Sequence, residues 1–262
     1  MKKYKVAEDA KPQILLLLIA TAITIALWFI PYADYLVYPI RLFVTFVHEG
    51  SHVLAALLTG GSVESLTVSP DTSGLVMFRY NSAISQLITS SAGYLGSTAF
   101  GVLLLIFIRR AYSARIVLAA SAAFVGLMTL LFGLFAPIWN IFSANVSFGS
   151  VAFTIVSGTI LTAGLLAIAR YASARVAQFA ISFLAVQCVL NALSDLNTVF
   201  YASSPFANPM QTDALNMANA TGLPAVAWVV IWIGISVLMI SVGLRFYVAS
   251  QKGKQYDLPF ED

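Results

Sequence analysis

Phe46-Val47-His48-Glu49-Gly50-Ser51-His52-Val53 is the stretch from which the rest of the chain is read. Its surroundings are apolar and helix-compatible, and on a helix His48 and His52, four residues apart, leave the same face one turn from each other. That spacing suits two imidazole ligands of a single zinc ion. Glu49, directly after the first histidine, can then reach a metal-bound water and act as its general base. The chain has only two histidines, so a chance match to this pattern is on the order of one in ten thousand. Two blander readings stand beside it. The histidines can be buried residues that hydrogen-bond across a helix bundle, or the site can bind metal without hydrolysing anything.

Outward from the motif the chain is apolar. Hydrophobic residues make up 60% of it and charged residues 10%, whereas soluble domains carry about a quarter charged residues. Six or seven apolar runs of about 20 residues, each long enough to cross a bilayer, predict an all-α integral membrane protein. The net charge of +3 is small. Basic residues sit at the ends of apolar runs, which points to membrane orientation and not to nucleic acid. A single cysteine, Cys188, excludes an intramolecular disulfide framework and a cysteine-based zinc site.

The first run, Gln13 to Ile30, ends in the interfacial residues Trp28 and Tyr32 and is expected to stay as a span. The second, Leu36 to Thr59, holds the histidine pair and is expected to stop at Gly60-Gly61. Ionisable groups inside such a run mark function by default. From Ser62 to Tyr80 the period changes to alternation. Glu64, Leu66 and Val68 share one face and Leu75, Met77 and Arg79 one face of a returning strand, around a Pro70-to-Gly74 turn. This β-hairpin is either a connector or an edge to which an extended peptide can add as a strand. In the third run, Ile84 to Ile108, the residues Gly93, Gly96, Ser97 and Gly101 are read as packing against the motif helix.

Runs four, five and six follow at Ile116 to Phe135, Ser150 to Ala169 and Val176 to Val199. Run six contains Asn191 and Asp195, which share a helix face with Cys188. Residues 200–223 read as a polar loop with a short helix around 210–219. Pro224 to Val248 forms the seventh run. Residues 1–248 are thus one polytopic domain, and 249–262 a tail expected to be disordered.

These pieces together resemble the site-2 protease family of intramembrane zinc metalloproteases, in its small bacterial, peptidase-like branch. The resemblance rests on His48-Glu49-Gly50-Ser51-His52, the Gly60-Gly61 strand entry, Ser91-Ala92-Gly93-Tyr94-Leu95-Gly96 and the segment from Asn191 to Asp195. Where typical members end that last segment in Leu-Asp-Gly, this chain has Leu193-Ser194-Asp195-Leu196. The resemblance implies cleavage of a membrane-embedded or membrane-adjacent protein segment in a bacterial cytoplasmic membrane, with Zn2+ as cofactor and the lipid bilayer and a membrane protein substrate as partners. The alternative is a non-catalytic metal-binding membrane assembly or substrate-binding protein that keeps the site as a clamp. A transporter ranks last, because the ionisable groups cluster at one point and trace no path across the bilayer.

For the third ligand the candidates are Asp195, Asp213 and Glu64. Glu64 lies in a strand past the double-glycine break, and Asp213 falls in a polar loop where solvent suffices. Asp195 lies inside an apolar run, where an unpaired carboxylate costs roughly 2.5 kcal/mol or more. The expected site is therefore His48, His52 and Asp195 on zinc, Glu49 as base, and Asn191 orienting Asp195 or hydrogen-bonding the substrate oxyanion.

Overall fold

The computed structural model describes residues 11–27, 29–110, 112–142, 146–203 and 211–248. The readings of Trp28 and of the 249–262 tail lie outside them. Helix α1 spans Lys11–Leu27 and the motif helix α2 spans Ala33–Leu58; strands β1 (Ser62–Val68) and β2 (Gly74–Arg79) follow, then α3 (Ala83–Arg109). A rod made of α4 (Ala114–Leu127), a π-helical stretch (Met128–Phe135) and α5 (Ala136–Trp139) leads to α6 (Phe148–Tyr171), α7 (Ala174–Ala202), the short α8 (Asp213–Thr221) and α9 (Ala225–Val248). The widened π turns sit just before Pro137, which has no N–H to give the helical ladder.

By length and composition α3, the Ala114–Trp139 rod, α6, α7 and α9 can each cross a membrane, and α1 is a shorter apolar helix. This matches the expected all-α membrane architecture, although α2, which carries the histidine motif, is not among these candidate spans. α3 is the central element and packs on α2, α7 and α9. In lipid, apolar burial does not by itself drive helices together, so close approach depends on small residues. A Cβ on Gly96 would lie 2.3 Å from Ser51 Oγ on α2, and one on Gly101 would lie 2.8 Å from Val189 Cγ2 on α7. The glycine stripe therefore serves two partners. Gly93 and Gly96 face the motif helix as expected, whereas Gly101 faces α7, because helical twist rotates it out of line.

α2 ends as its glycines predict. Gly60 adopts φ +78°, and the N–H groups of Gly60 and Gly61 bond to the carbonyls of Leu57 and Ala56 at 3.1 and 2.8 Å. This Schellman closure satisfies orphan carbonyls and turns the chain into β1.

The hairpin is antiparallel, pairing Leu66 with Val76 and Val68 with Gly74, with an irregularity between Val63 and Ser65 that makes Glu64 a bulge residue. The expected one-sided alternation fails in β1, where Ser65, Leu66, Thr67 and Val68 are all buried. β1 is covered on both sides, by α2 and β2 and by the π segment, α5 and α6. Its outer edge is closed by side chains: Thr154 Oγ1 accepts from Val68 N–H at 2.7 Å, and Asn140 Nδ2 donates to the Glu64 carbonyl at 3.4 Å. Thr154 is fully buried. Thr154→Val keeps its shape but strands the Val68 N–H, and the expected loss is about 1–3 kcal/mol of unfolding free energy. Denaturant titration in detergent micelles measures it, and an unchanged midpoint would refute this role for the threonine.

Candidate metal and catalytic site

Because the hairpin turn is tied to α2, the strands fold back over the histidine motif. Tyr38 Oη donates to the Pro70 carbonyl and Thr45 Oγ1 to the Thr72 carbonyl, each at 2.7 Å. Asp71 closes the turn by accepting from the Ser73 N–H and hydroxyl at 3.0 and 2.6 Å, and those bonds hold its carboxyl below the usual range. β2 then starts directly over Glu49, and a Cβ on Gly74 would lie 2.4 Å from Glu49 Oε1. Glu49 is 7% exposed at the wall of a cavity of about 360 Å³.

His48 and His52 both open into this cavity. His52 Nδ1 lies 2.6 Å from the Thr89 carbonyl of α3, a bond it makes as donor, so the lone pair is on Nε2. Phe78 of β2 stacks on His52 with ring centroids 6.3 Å apart, and Tyr94 meets His48 edge-on at 4.7 Å. α3 approaches so closely that a Cβ on Gly93 would lie 2.2 Å from His48 Nε2 and 2.4 Å from His52 Nε2. Gly93→Ala is therefore expected to displace at least one imidazole and to abolish metal retention. Gly101→Ala, which presses on α7, should destabilise the fold while leaving the metal in place. Equal metal content in the Gly93 variant and wild type would contradict this geometry.

The third member of the group is Asp213. Its Oδ2 is 3.3 Å from His52 Nε2 and 3.7 Å from His48 Nε2. Among the described residues, His48, His52 and Asp213 are the set whose donor atoms can hold a metal ion, all within 4.8 Å of one another. Two nitrogens and an oxygen bound at about 2.0–2.1 Å around a tetrahedral centre are about 3.3–3.5 Å apart; the donor chemistry fits zinc, the His52–Asp213 spacing matches that range, and the His48–Asp213 spacing is slightly longer. Burial would raise the Asp213 carboxyl, but the imidazoles of His52 and His48 outweigh it and hold the group well below its ordinary value.

Asp195, expected in this place, is not in the group. It lines the same cavity and also borders a second polar cavity of about 300 Å³, with Arg41, Thr45, Thr72, Asn191 and Ser194. Asp195 is exposed to this polar surround, so its place within an apolar run does not demand a metal. Asn191 borders that second cavity beside Asp195. Its amide donates to the Gln187 carbonyl and Oε1 at 2.8 and 3.1 Å, and it does not line the cavity of the histidine pair. Glu64 is held away by Arg79, whose Nε donates to its Oε1.

Asp213 arrives because the short helix expected around 210–219, seen as α8, docks on the bundle instead of lying in solvent. Ala214 and Met217, three residues apart on α8, are buried with Tyr94, Leu196 and Trp232. Gln86 Nε2 on α3 donates to the Asn216 carbonyl at 3.4 Å. Thr212 caps the helix by accepting from Leu215 N–H at 3.2 Å, which leaves Asp213 in the first turn, where the helix dipole favours an anion. The Thr212 cap and the Ala214–Met217 spacing are the signals in the sequence that point to this residue.

A family model described as Peptidase M50B-like matches residues 17–243. No match was found among curated proteins or among solved structures.

Proposed function

The chain belongs to the Peptidase M50B-like family, and from that premise we propose that it is an intramembrane zinc metalloprotease that hydrolyses peptide bonds of membrane-embedded or membrane-adjacent proteins. The observation that carries the reading is the convergence of His48, His52 and Asp213 beside the buried Glu49 in one cavity. His48, His52 and Asp213 would hold the metal, which when bound lowers the pKa of its water and polarises the carbonyl. Glu49, at the cavity wall, would accept a proton from the attacking water as the water oxygen bonds to the carbonyl carbon. It returns the proton to the amine nitrogen as the C–N bond breaks.

Thr72 to Val76 and Phe78 of the hairpin border the cavity. A substrate helix must unwind before its amides become accessible. An extended segment laid along β2 satisfies those freed amides by strand addition and brings a carbonyl to the site. The setting is a bacterial cytoplasmic membrane.

Metal analysis of detergent-purified protein is expected to find close to one zinc per chain. Cleavage of a co-expressed library of tagged membrane segments should depend on that zinc and stop with a chelator. Protein without metal under chelator-free purification, or cleavage indifferent to chelation, would sink the reading.

A further inference from the structure

A tetrahedral oxyanion forms during peptide hydrolysis, and a protein donor aimed at it is worth a large part of the rate. Most hydrogen-bond donors around the cavity are already committed. Thr45 donates to the Thr72 carbonyl, Ser73 to Asp71, Thr198 to the Ser194 carbonyl and Gln211 to Asn216. Tyr94 is different. Its ring is fixed on two sides, edge-on to His48 with centroids 4.7 Å apart and stacked on Trp232 at 5.2 Å. Trp232 is itself anchored, its Nε1 donating to Ser91 Oγ at 3.1 Å.

Tyr94 lines the cavity, is 7% exposed, and its hydroxyl is within electrostatic reach of the carboxylates of Asp213, Asp195 and Glu49. That hydroxyl has no hydrogen bond to any described residue. Thr212, the cap of α8, and Asn216 on α8 also border the cavity, but both are partly exposed, whereas Tyr94 is buried. A phenol O–H on the cavity wall with no hydrogen bond among the described residues, its ring held against that of His48, is a preorganised donor.

We propose that Tyr94 is a catalytic residue whose hydroxyl donates a hydrogen bond to the oxygen of the attacked carbonyl as negative charge develops there. The proposal rests on the protease reading above. The phenol keeps its proton throughout, so the proton balance between water, Glu49 and the leaving amine is unchanged. Stabilisation of this kind acts on the transition state and not on the bound substrate.

The test is Tyr94→Phe in the full-length, zinc-loaded protein, which removes one oxygen and keeps the ring contacts. The expected result is a fall in kcat of about 10²–10³-fold, with KM, zinc content and thermal unfolding unchanged. A second readout does not use turnover. Affinity for a phosphinic peptide, whose tetrahedral anion mimics the oxyanion, should fall by about tenfold or more. Affinity for the parent peptide, measured in the Glu49→Gln background, should not change. Activity within threefold of wild type overturns the proposal. So does loss of zinc, which makes Tyr94 a ligand, or equal weakening of both peptides, which makes it a packing residue. A wild type that neither holds zinc nor binds the phosphinic peptide instead removes the protease reading and the proposal with it.

Discussion

Glu49→Gln is expected to lower peptide hydrolysis by about 10²–10⁴-fold, the range a positioned general base supplies, while zinc stays bound. The substitution is nearly isosteric, which matters because Gly74 leaves no spare room above the carboxylate, with a Cβ there only 2.4 Å from Oε1. The amide fits the same slot but cannot accept the water proton. Glu49 is also outside the His48, His52 and Asp213 group, so the metal should not notice the change. Hydrolysis rates on a transmembrane peptide and zinc content of the same preparation decide the matter together. Metal loss in the variant would make Glu49 a ligand, and undiminished cleavage would leave the protein without its proposed base.

Asp213→Ala should cost the site its metal, whereas Asp195→Asn should keep it. Changing residues that merely orient ligands commonly weakens metal binding by about 10–100-fold, so removing a ligand should exceed the upper end of that range. The contrast follows from position. Asp213 lies 3.3 and 3.7 Å from the two imidazole nitrogens, while Asp195 stands on the wall shared with the Arg41, Asn191 and Ser194 cavity. Zinc titration against a competing chelator reads both variants on one scale. If Asp195→Asn loses metal while Asp213→Ala holds it, the ligand assignment is reversed.

Each of these expectations has a different root in the chain. His48, Glu49 and His52 are legible without a structure because their geometry is local: one helical turn sets it, and any helix through these residues reproduces it. The spans are legible for a similar reason, since bilayer thickness imposes a length of about 20 apolar residues whatever the packing. The end of α2 at Gly60-Gly61 is equally local, and so is the Pro70-to-Gly74 turn. The alternation in β1 is not. What lies on each face of a strand is set by neighbours such as Thr154, 86 residues away.

The amino-acid order alone thus determined the class of the molecule, a helical membrane protein carrying a paired-histidine motif with an adjacent carboxylate. Only the tertiary structure decided which distant groups complete the site. Asp195 and Asp213 compete on cost in the sequence, where an apolar run demands a partner more than a polar segment does. In the folded chain the reverse holds. A polar cavity accommodates Asp195, while Ala214 and Met217 pull α8 onto α3 and carry Asp213 to the imidazoles. Tyr94 and Gly93 are likewise ordinary members of a packing helix until α3 lies against α2. Contacts between residues more than a hundred positions apart arise from how helices pack, and no local spacing encodes them.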